Sequence, residues 1–338
     1  MTAHANRQLK LAARPFGLPK DSDFEIVAGE VGEPGEGEVL VRVIYLSLDP
    51  AMRGWMNEGK SYVRPVRIGE VMRALGLGQV VASGDARFAV GDYVVGLTGV
   101  QEMALLQAKD LTPAIPKAAP LPSFLGGLGM PGLTAYFGLL DICAPKPGET
   151  VVISGAAGAV GGVVGQIAKL KGCRAVGIAG GAEKCAYVRD ELGFDACIDY
   201  KAGDLNAGLK EHCPDGIDCY FDNVGGETLD TVLRRINVFA RIAFCGAISI
   251  YNATEPPAGP KNYLSLLANR AKVQGFIVFD FQDRYPQAIQ DLAGWYAEGK
   301  LKFREHVVEG RLDDFRDTLV MLFEGRNFGK LVLQIGQP

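Results

Sequence analysis

Along the first third of the chain, apolar and β-branched residues come in short runs separated by glycine, proline and charge. Residues 9–13, 24–31, 39–48, 78–83, 93–97 and 101–106 each read as a strand, and clusters such as Gly32-Glu-Pro-Gly-Glu-Gly-Glu38 read as the turns between them. This pattern predicts an all-β unit, a small barrel. Pro116, Pro120 and Pro122 mark the passage out of it. From Leu125 the period changes. Leu133, Tyr136, Phe137, Leu139 and Leu140 recur at helical spacing, and β and α signals then alternate: strands at 151–153, 174–179, 196–200, 217–223, 241–245 and 272–279, helices at 182–192, 205–212 and 227–235. Alternation of this kind predicts an α/β fold with a doubly wound parallel sheet covered on both faces. A helix at 284–299, a strand at 303–308, a helix at 312–323 and a strand at 330–335 follow. The last strand resembles those of the N-terminal unit, so the chain is expected to return there and the parallel sheet to be an insertion.

The turn after the first parallel strand carries the clearest chemistry. Val151-Val152-Ile153 is an apolar run bounded by Gly155, and Val160, Val163, Val164, Ile167 and Ala168 then recur at helical spacing. Ala156-x-Gly158-x-x-Gly161 therefore lies at a helix N-terminus, where backbone N–H groups and the positive end of the helix dipole converge on an anion. The spacing is a variant of the dinucleotide fingerprint, in which glycine lets the backbone approach a pyrophosphate. Glycine-rich chains also use such spacing for packing alone; the flanking strand and helix favour the phosphate reading.

Composition narrows the class further. A chain of 338 residues, 48% hydrophobic, can build two domains with proper cores. Its net charge of −4, with acids and bases interspersed, offers no footprint for nucleic acid or an anionic membrane, and neither partner is expected. Residues 150–168 approach the length of a membrane span but are punctuated by glycine, which favours strand, turn and helix. The N-terminal residues lack the apolar core of a secretory signal, so a cytoplasmic location is expected. Seven cysteines without a CxxC pair, and only His4, His212 and His306 beside them, give no zinc set; reduced thiols and no metal are the expectation.

The second parallel strand bears on the choice of cofactor. A carboxylate at its tip would bind the adenosine ribose and favour NAD. Here the strand ends in Gly177-Ile-Ala-Gly180-Gly181, which leaves space for a 2′-phosphate, and Lys184 on the next helical turn can meet that phosphate as a point charge. Glu183 stands against this, since its side chain can take the NAD role. The reading is NADP(H).

These stretches, with Asp49-Pro-Ala-Met-Arg-Gly-Trp-Met56, Ile68-Gly-Glu-Val-Met72, residues 129–138 (Gly-Met-Pro-Gly-Leu-Thr-Ala-Tyr-Phe-Gly), Tyr220-Phe-Asp-Asn-Val-Gly-Gly226, residues 245–252, Gly275-Phe-Ile-Val278 and Asn327-Phe-Gly-Lys-Leu331, run in one order over almost the whole chain. Together they resemble the zinc-independent medium-chain dehydrogenase/reductases, in the branch of prostaglandin and leukotriene reductases, alkenal reductases and curcumin-type reductases. The resemblance implies a GroES-like β-barrel domain from residues 1–124 and 300–338, a Rossmann NADP-binding domain at 125–299, and an active site in the cleft. It places Gly158, Ala159, Val160 and Gly161 under the pyrophosphate, Lys184 and Tyr200 around the 2′-phosphate, and Asn223 near a ribose. Cys245, Gly246, Ala247, Ile248 and Tyr251, a strand holding Phe276, Ile277 and Val278, and Asn327 would line the nicotinamide half, with Thr134 near the carboxamide. Individually, Tyr200 also reads as a strand cap, residues 222–226 as a turn, and Phe276 and Val278 as core.

What the resemblance implies chemically is reduction of a carbon–carbon double bond conjugated to a carbonyl, in an enone or alkenal. Hydride goes to the β-carbon, and the enolate oxygen is met by the ribose 2′-hydroxyl and a tyrosine phenol. Tyr251 is the first candidate for that phenol, or for orienting the ribose. Many relatives carry Asp-Pro-Tyr-Met-Arg where this chain has Ala51, so a phenol is lost, moved to Tyr62 or Tyr251, or left to water, and the pocket beside Ala51 is enlarged. A quinone reductase and a catalytically silent NADPH-binding protein remain as alternatives. The apolar run 273–279 would be a sheet edge, an element usually paired or covered, and relatives pair it across a two-fold axis; a homodimer is expected.

Overall fold

A computed structural model describes residues 3–338; the first two residues of the N-terminal stretch used for the cytoplasmic reading lie outside the described residues. In chain order the elements are β1 (His4–Leu11), β2 (Phe24–Val31), β3 (Glu38–Ser47), α1 (Ala51–Trp55), β4 (Gly76–Ser83), β5 (Tyr93–Gly96), β6 (Met103–Gln107) and β7 (Thr112–Ala114). Then come α2 (Met130–Phe137), β8 (Thr150–Ser154), α3 (Gly161–Leu170), β9 (Arg174–Ala179), α4 (Ala182–Ala186), β10 (Ala196–Asp199), α5 (Leu205–His212), β11 (Ile217–Asp222), α6 (Gly226–Leu233) and β12 (Ile236–Phe244). The chain finishes with α7 (Leu264–Ala268), β13 (Lys272–Gly275), α8 (Tyr285–Ala297), β14 (Glu305–Glu309), α9 (Phe315–Phe323) and β15 (Lys330–Gln334). The chain divides into two units, one of Met1–Leu125 with Glu305–Pro338, the other Gly126–Arg304.

In the first unit a seven-stranded sheet runs β14-β15-β3-β4-β5-β7, with β6 also paired to β3. The C-terminal strand closes back on the N-terminal ones: Val332, Leu333 and Gln334 pair antiparallel with Ser47, Leu46 and Tyr45. β3 is the hub, buried at nearly every position because it is paired on both sides. Its core draws Leu46, Leu48, Met52 and Met56 together with Phe315, Leu319, Leu331 and Leu333, so both ends of the chain share one apolar interior.

The second unit holds a six-stranded sheet in the order β10-β9-β8-β11-β12-β13. Each adjacent pair is parallel. The chain leaves β8 toward one edge and starts again at β11 beside it, so the order reverses between these two strands; ligands of doubly wound sheets sit at the carboxyl ends of strands at such a reversal. β8 is buried at all five positions, which is why it reads as an uninterrupted apolar run instead of an alternating one. One predicted strand is shorter than its apolar run. β13 stops at Gly275 because its ladder partner stops at Phe244. Phe276 and Ile277 follow without a strand partner and Val278 opens a helical turn, so the three do not form the strand expected of them.

Candidate functional site

The glycines of the 155–161 turn have distinct duties. Gly155 takes φ +62°, a left-handed turn out of β8. At Gly161 an added Cβ would stand 2.4 Å from the Gly155 carbonyl oxygen and 3.0 Å from Ala156 Cα, so only glycine lets the helix start this close to the strand. At Gly158 the nearest atom would be 3.1 Å away. Gly165 faces the ring of Phe194, which a Cβ would meet at 1.8 Å, and this seats α3 on its neighbours. The outcome is a ten-residue helix that opens at Gly161 with Val160 as its N-cap, so the amides of Ala159, Val160 and Gly161 lead into it where intrahelical carbonyls run out. Amides placed in this way can meet an anion.

Past the tip of β9 the chain bends through Gly180 and Gly181, the latter at φ +101°. The Tyr200 ring lies over Gly180, where a Cβ would come within 2.8 Å of the phenol oxygen. Asp199 Oδ1 accepts the N–H groups of Gly181 at 2.8 Å and Lys201 at 3.0 Å, tying the tips of β9 and β10 together. Lys184 is half-buried, and its ammonium is held below the usual lysine range by burial and then by the neighbouring Lys201 charge. Two lysines close enough to repel one another can be offset by a bound anion. Glu183 on α4 is exposed. Lys201 was not singled out from the sequence, although it directly follows Tyr200.

The ends of β11 and β12 are laced into one another. Gly225 and Gly226 both have positive φ, and a Cβ at Gly225 would press on Ala247 at 2.9 Å. Asn223 donates its amide to the Ser154 carbonyl at 2.7 Å, and its own carbonyl accepts Ile248 N–H at 3.2 Å. Cys245 and Gly246 donate N–H to the Asp222 carbonyl at 2.9 and 3.1 Å. The Tyr251 phenol oxygen accepts the Ala247 N–H at 3.1 Å, closing the 247–251 turn on itself. Burial pushes the half-buried Cys245 thiol up to about 12. Thr134 Oγ1 donates back to Met130 O within α2 at 2.8 Å. Phe276 is buried edge-on against Phe221, centroids 6.1 Å apart, and Val278 is buried too, whereas Ile277 between them is only half-buried. Gly158 to Gly161, Asn223 and residues 245–251 thus gather around the carboxyl ends of β8, β11 and β12, with Lys184 and Tyr200 beside β9.

In the first unit, Ala51 opens α1 and Tyr62 accepts the Trp55 Nε1–H at 3.1 Å. Lys330, 3% exposed, donates to Asp49 Oδ1 at 2.6 Å and to the Leu48 carbonyl at 2.9 Å, tying the motif after β3 to the start of β15. Asn327 is buried, its amide donating to Gly329 O at 3.0 Å. Arg53 anchors α1 from below by donating to the carbonyls of Pro15 and Gly17, and burial lowers its guanidinium pKa.

Six of the seven cysteines are buried and all are free. Among the described residues no group of three or more His, Cys, Asp or Glu side chains is arranged to hold a metal, and no helix is long and apolar enough to cross a membrane. Two family models match the chain: the N-terminal domain of oxidoreductase at residues 7–114 and zinc-binding dehydrogenase at 159–294. The NADPH-dependent curcumin reductase of Escherichia coli is 46% identical over 98% of this chain and 97% of its own. The chain belongs to the medium-chain dehydrogenase/reductase superfamily. Within the superfamily it falls in the curcumin, alkenal and prostaglandin reductase branch: a 2-alkenal reductase (NADP(+)-dependent) of Nicotiana tabacum is 42% identical over 98% of both chains. The crystal structure of CurA in complex with NADPH from Vibrio vulnificus superposes with a TM-score of 0.92, 48% identity, and coverage of 98% of this chain and 100% of that one.

Proposed function

We propose that this medium-chain reductase uses NADPH to reduce the carbon–carbon double bond of α,β-unsaturated ketones and aldehydes. The observation that carries the reading is full-length kinship to curcumin and alkenal reductases, joined to the grouping of Gly180, Lys184 and Tyr200 past the tip of β9, which would suit a 2′-phosphate. When bound, NADPH supplies the hydride that adds to the β-carbon. Ala159, Val160 and Gly161 would hold the pyrophosphate at the start of α3, Lys184 and Tyr200 would select the 2′-phosphate, and Asn223 would position a ribose. Within the second unit, Thr134 and residues 245–251 and 276–278 would form the nicotinamide half, with Phe276 and Val278 buried and Ile277 half-buried. Tyr251 orients the ribose or donates to the oxygen on which charge develops; donors placed at such an oxygen are worth ten- to a thousandfold in rate, as orders of magnitude. Ala51 and Tyr62 contact the substrate.

Following NADPH absorbance across a panel of straight-chain enones, alkenals and quinones tests the proposal. Turnover of enones and alkenals is expected. Turnover of quinones alone would reassign the protein as a quinone reductase, and tight NADPH binding without consumption of any electrophile would leave a binding protein.

We also infer a homodimer. β13 pairs on one side only, and Val273 on it is exposed together with Phe239, Leu264 and Leu267, so the sheet edge carries uncovered apolar surface. A second copy pairing β13 with β13 about a two-fold axis would cover it. Sedimentation at micromolar concentration checks this, and a monomer would refute it. The proposed compartment is the cytoplasm, in keeping with seven unpaired thiols; cell fractionation is the test.

A further inference from the structure

Asp222 ends β11, beside the point where the strand order reverses, and it is 0% exposed. Four donors converge on its Oδ1: the Tyr220 phenol at 2.8 Å, Ser154 Oγ at 3.1 Å, Val224 N–H at 3.0 Å and Gly225 N–H at 2.9 Å. Its Oδ2 is buried and has no partner. The backbone carbonyl of the same residue accepts Cys245 and Gly246 N–H. One residue therefore fastens the end of β8, the 223–226 turn and the start of the 245–251 loop. A buried carboxylate costs several kcal/mol to desolvate in order-of-magnitude terms, and here burial pushes its pKa up despite the four donors. The cost is offset by the four donors, each of which would be left unsatisfied without the carboxylate, so the residue holds these segments in one arrangement.

We propose that Asp222 is a positioning residue for the nicotinamide half of the cofactor, acting through Asn223 and the 245–251 loop while leaving the adenosine half untouched. This rests on the NADP(H) reading above. The adenosine pocket at Gly180, Lys184 and Tyr200 is built on the ends of β9 and β10 and shares none of these bonds.

The test compares two probes by calorimetry, NADPH and 2′,5′-ADP, the second lacking the nicotinamide half. In Asp222→Ala the dissociation constant for NADPH is expected to rise about tenfold or more, the equivalent of about one lost buried hydrogen-bond anchor, with 2′,5′-ADP held within about twofold. Asp222→Asn keeps an acceptor oxygen for the same four donors and is expected to bring NADPH back to within about threefold of the parent. Equal losses for both probes would make Asp222 a general stabiliser and overturn the proposal, as would no loss for either. Should the alanine variant not fold, Ser154→Ala carries the same comparison: it removes one donor and also the oxygen that accepts Asn223 N–H at 2.9 Å, so about a threefold loss for NADPH alone is expected. If the parent protein binds neither probe, the cofactor reading itself has failed; if it binds both and the variants do not discriminate, only the role of Asp222 has.

Discussion

Replacing Gly161 by alanine sets the strand–helix junction against itself. The new Cβ would lie 2.4 Å from the Gly155 oxygen, 2.9 Å from its carbonyl carbon and 3.0 Å from Ala156 Cα. Ordinary contact begins near 3.5 Å, so the overlap is about an ångström, and every atom it meets is backbone that cannot rotate away. Overpacking of this kind costs about 1–3 kcal/mol, which in a unit of this size lowers the melting temperature by about 2–10 °C. Relief requires α3 to move off β8, carrying the amides of Ala159 and Val160 with it. Binding of NADPH is therefore expected to weaken by more than about tenfold, since hydrogen bonds to a charged oxygen, worth about 1.5–3 kcal/mol each, are lost with a shift of that size. Gly158→Ala provides the internal control: its Cβ meets only one atom, at 3.1 Å, and a few tenths of an ångström of adjustment suffice. Fluorescence titration with NADPH and a thermal melt on both variants decide the matter. A Gly161→Ala protein that binds as tightly as the parent, or a Gly158→Ala protein that melts lower than Gly161→Ala, would refute the steric account of this turn.

Other perturbations read out other parts of the site. Lys184→Ala should raise KM for NADPH by about tenfold or more and leave KM for NADH within about twofold, a loss of one charge-assisted contact; steady-state kinetics with both cofactors shows it. Because burial and Lys201 depress the Lys184 pKa, its charge is lost at lower pH than for an exposed lysine. Affinity for NADPH should accordingly fall as pH rises through that range while affinity for NADH stays flat, and the dependence should diminish in Lys184→Ala, as a pH series of KM would reveal. Ala51→Tyr should restrict the substrate range, raising KM for bulky diaryl enones by about tenfold more than for short alkenals; equal effects on both would remove Ala51 from the substrate contacts. Leu267→Asp places a charge on a side chain 77% exposed in the single chain. If that surface is covered by a second copy, sedimentation should show the dimer dissociating, and an unchanged mass would place the interface elsewhere.

Where secondary structure follows from local pattern, the sequence reading and the structure coincide. α5 at Leu205–His212 and β2 at Phe24–Val31 appear with the predicted bounds because their apolar periodicity and flanking turn residues agree. α1 and β7 went unpredicted: one is five residues long, the other three with Pro113 in the middle, too short for any period. β12 begins five residues earlier than its apolar run suggests, at Ile236. The stretch between contains Phe239 at φ +66°, which no apolar pattern signals. The run through Phe276 and Val278 misled in the opposite sense, since apolarity there serves an aromatic cluster with Phe221 and Phe281 instead of a ladder. The glycine turn after β8 was legible because it is local and motif-borne; the Tyr200 ring over Gly180 was not, because it joins the ends of two different strands. The knot at Asp222 was not. It joins Ser154 to residues nearly seventy positions on, and the Asp49–Lys330 pair spans 281, so nothing short of the folded chain brings their partners together.

The disposition of the thiols has a bearing on survival. An α,β-unsaturated carbonyl is a Michael acceptor that alkylates thiolates, so an enzyme turning over such compounds is exposed to self-inactivation by its own substrates. Burial pushes Cys173, Cys185, Cys197, Cys213 and Cys245 upward, Cys213 to about 11 and Cys245 to about 12, and contact with Cys143 together with burial does the same for Cys219. At neutral pH a thiol at 12 is ionised in about one molecule in a hundred thousand. Intact-mass measurement after prolonged incubation with excess enone should therefore find the folded protein unmodified, and adducts only once the chain is unfolded. The same interior that packs the sheets shields six of the seven soft nucleophiles, and the half-buried Cys245 is kept in its unreactive thiol form.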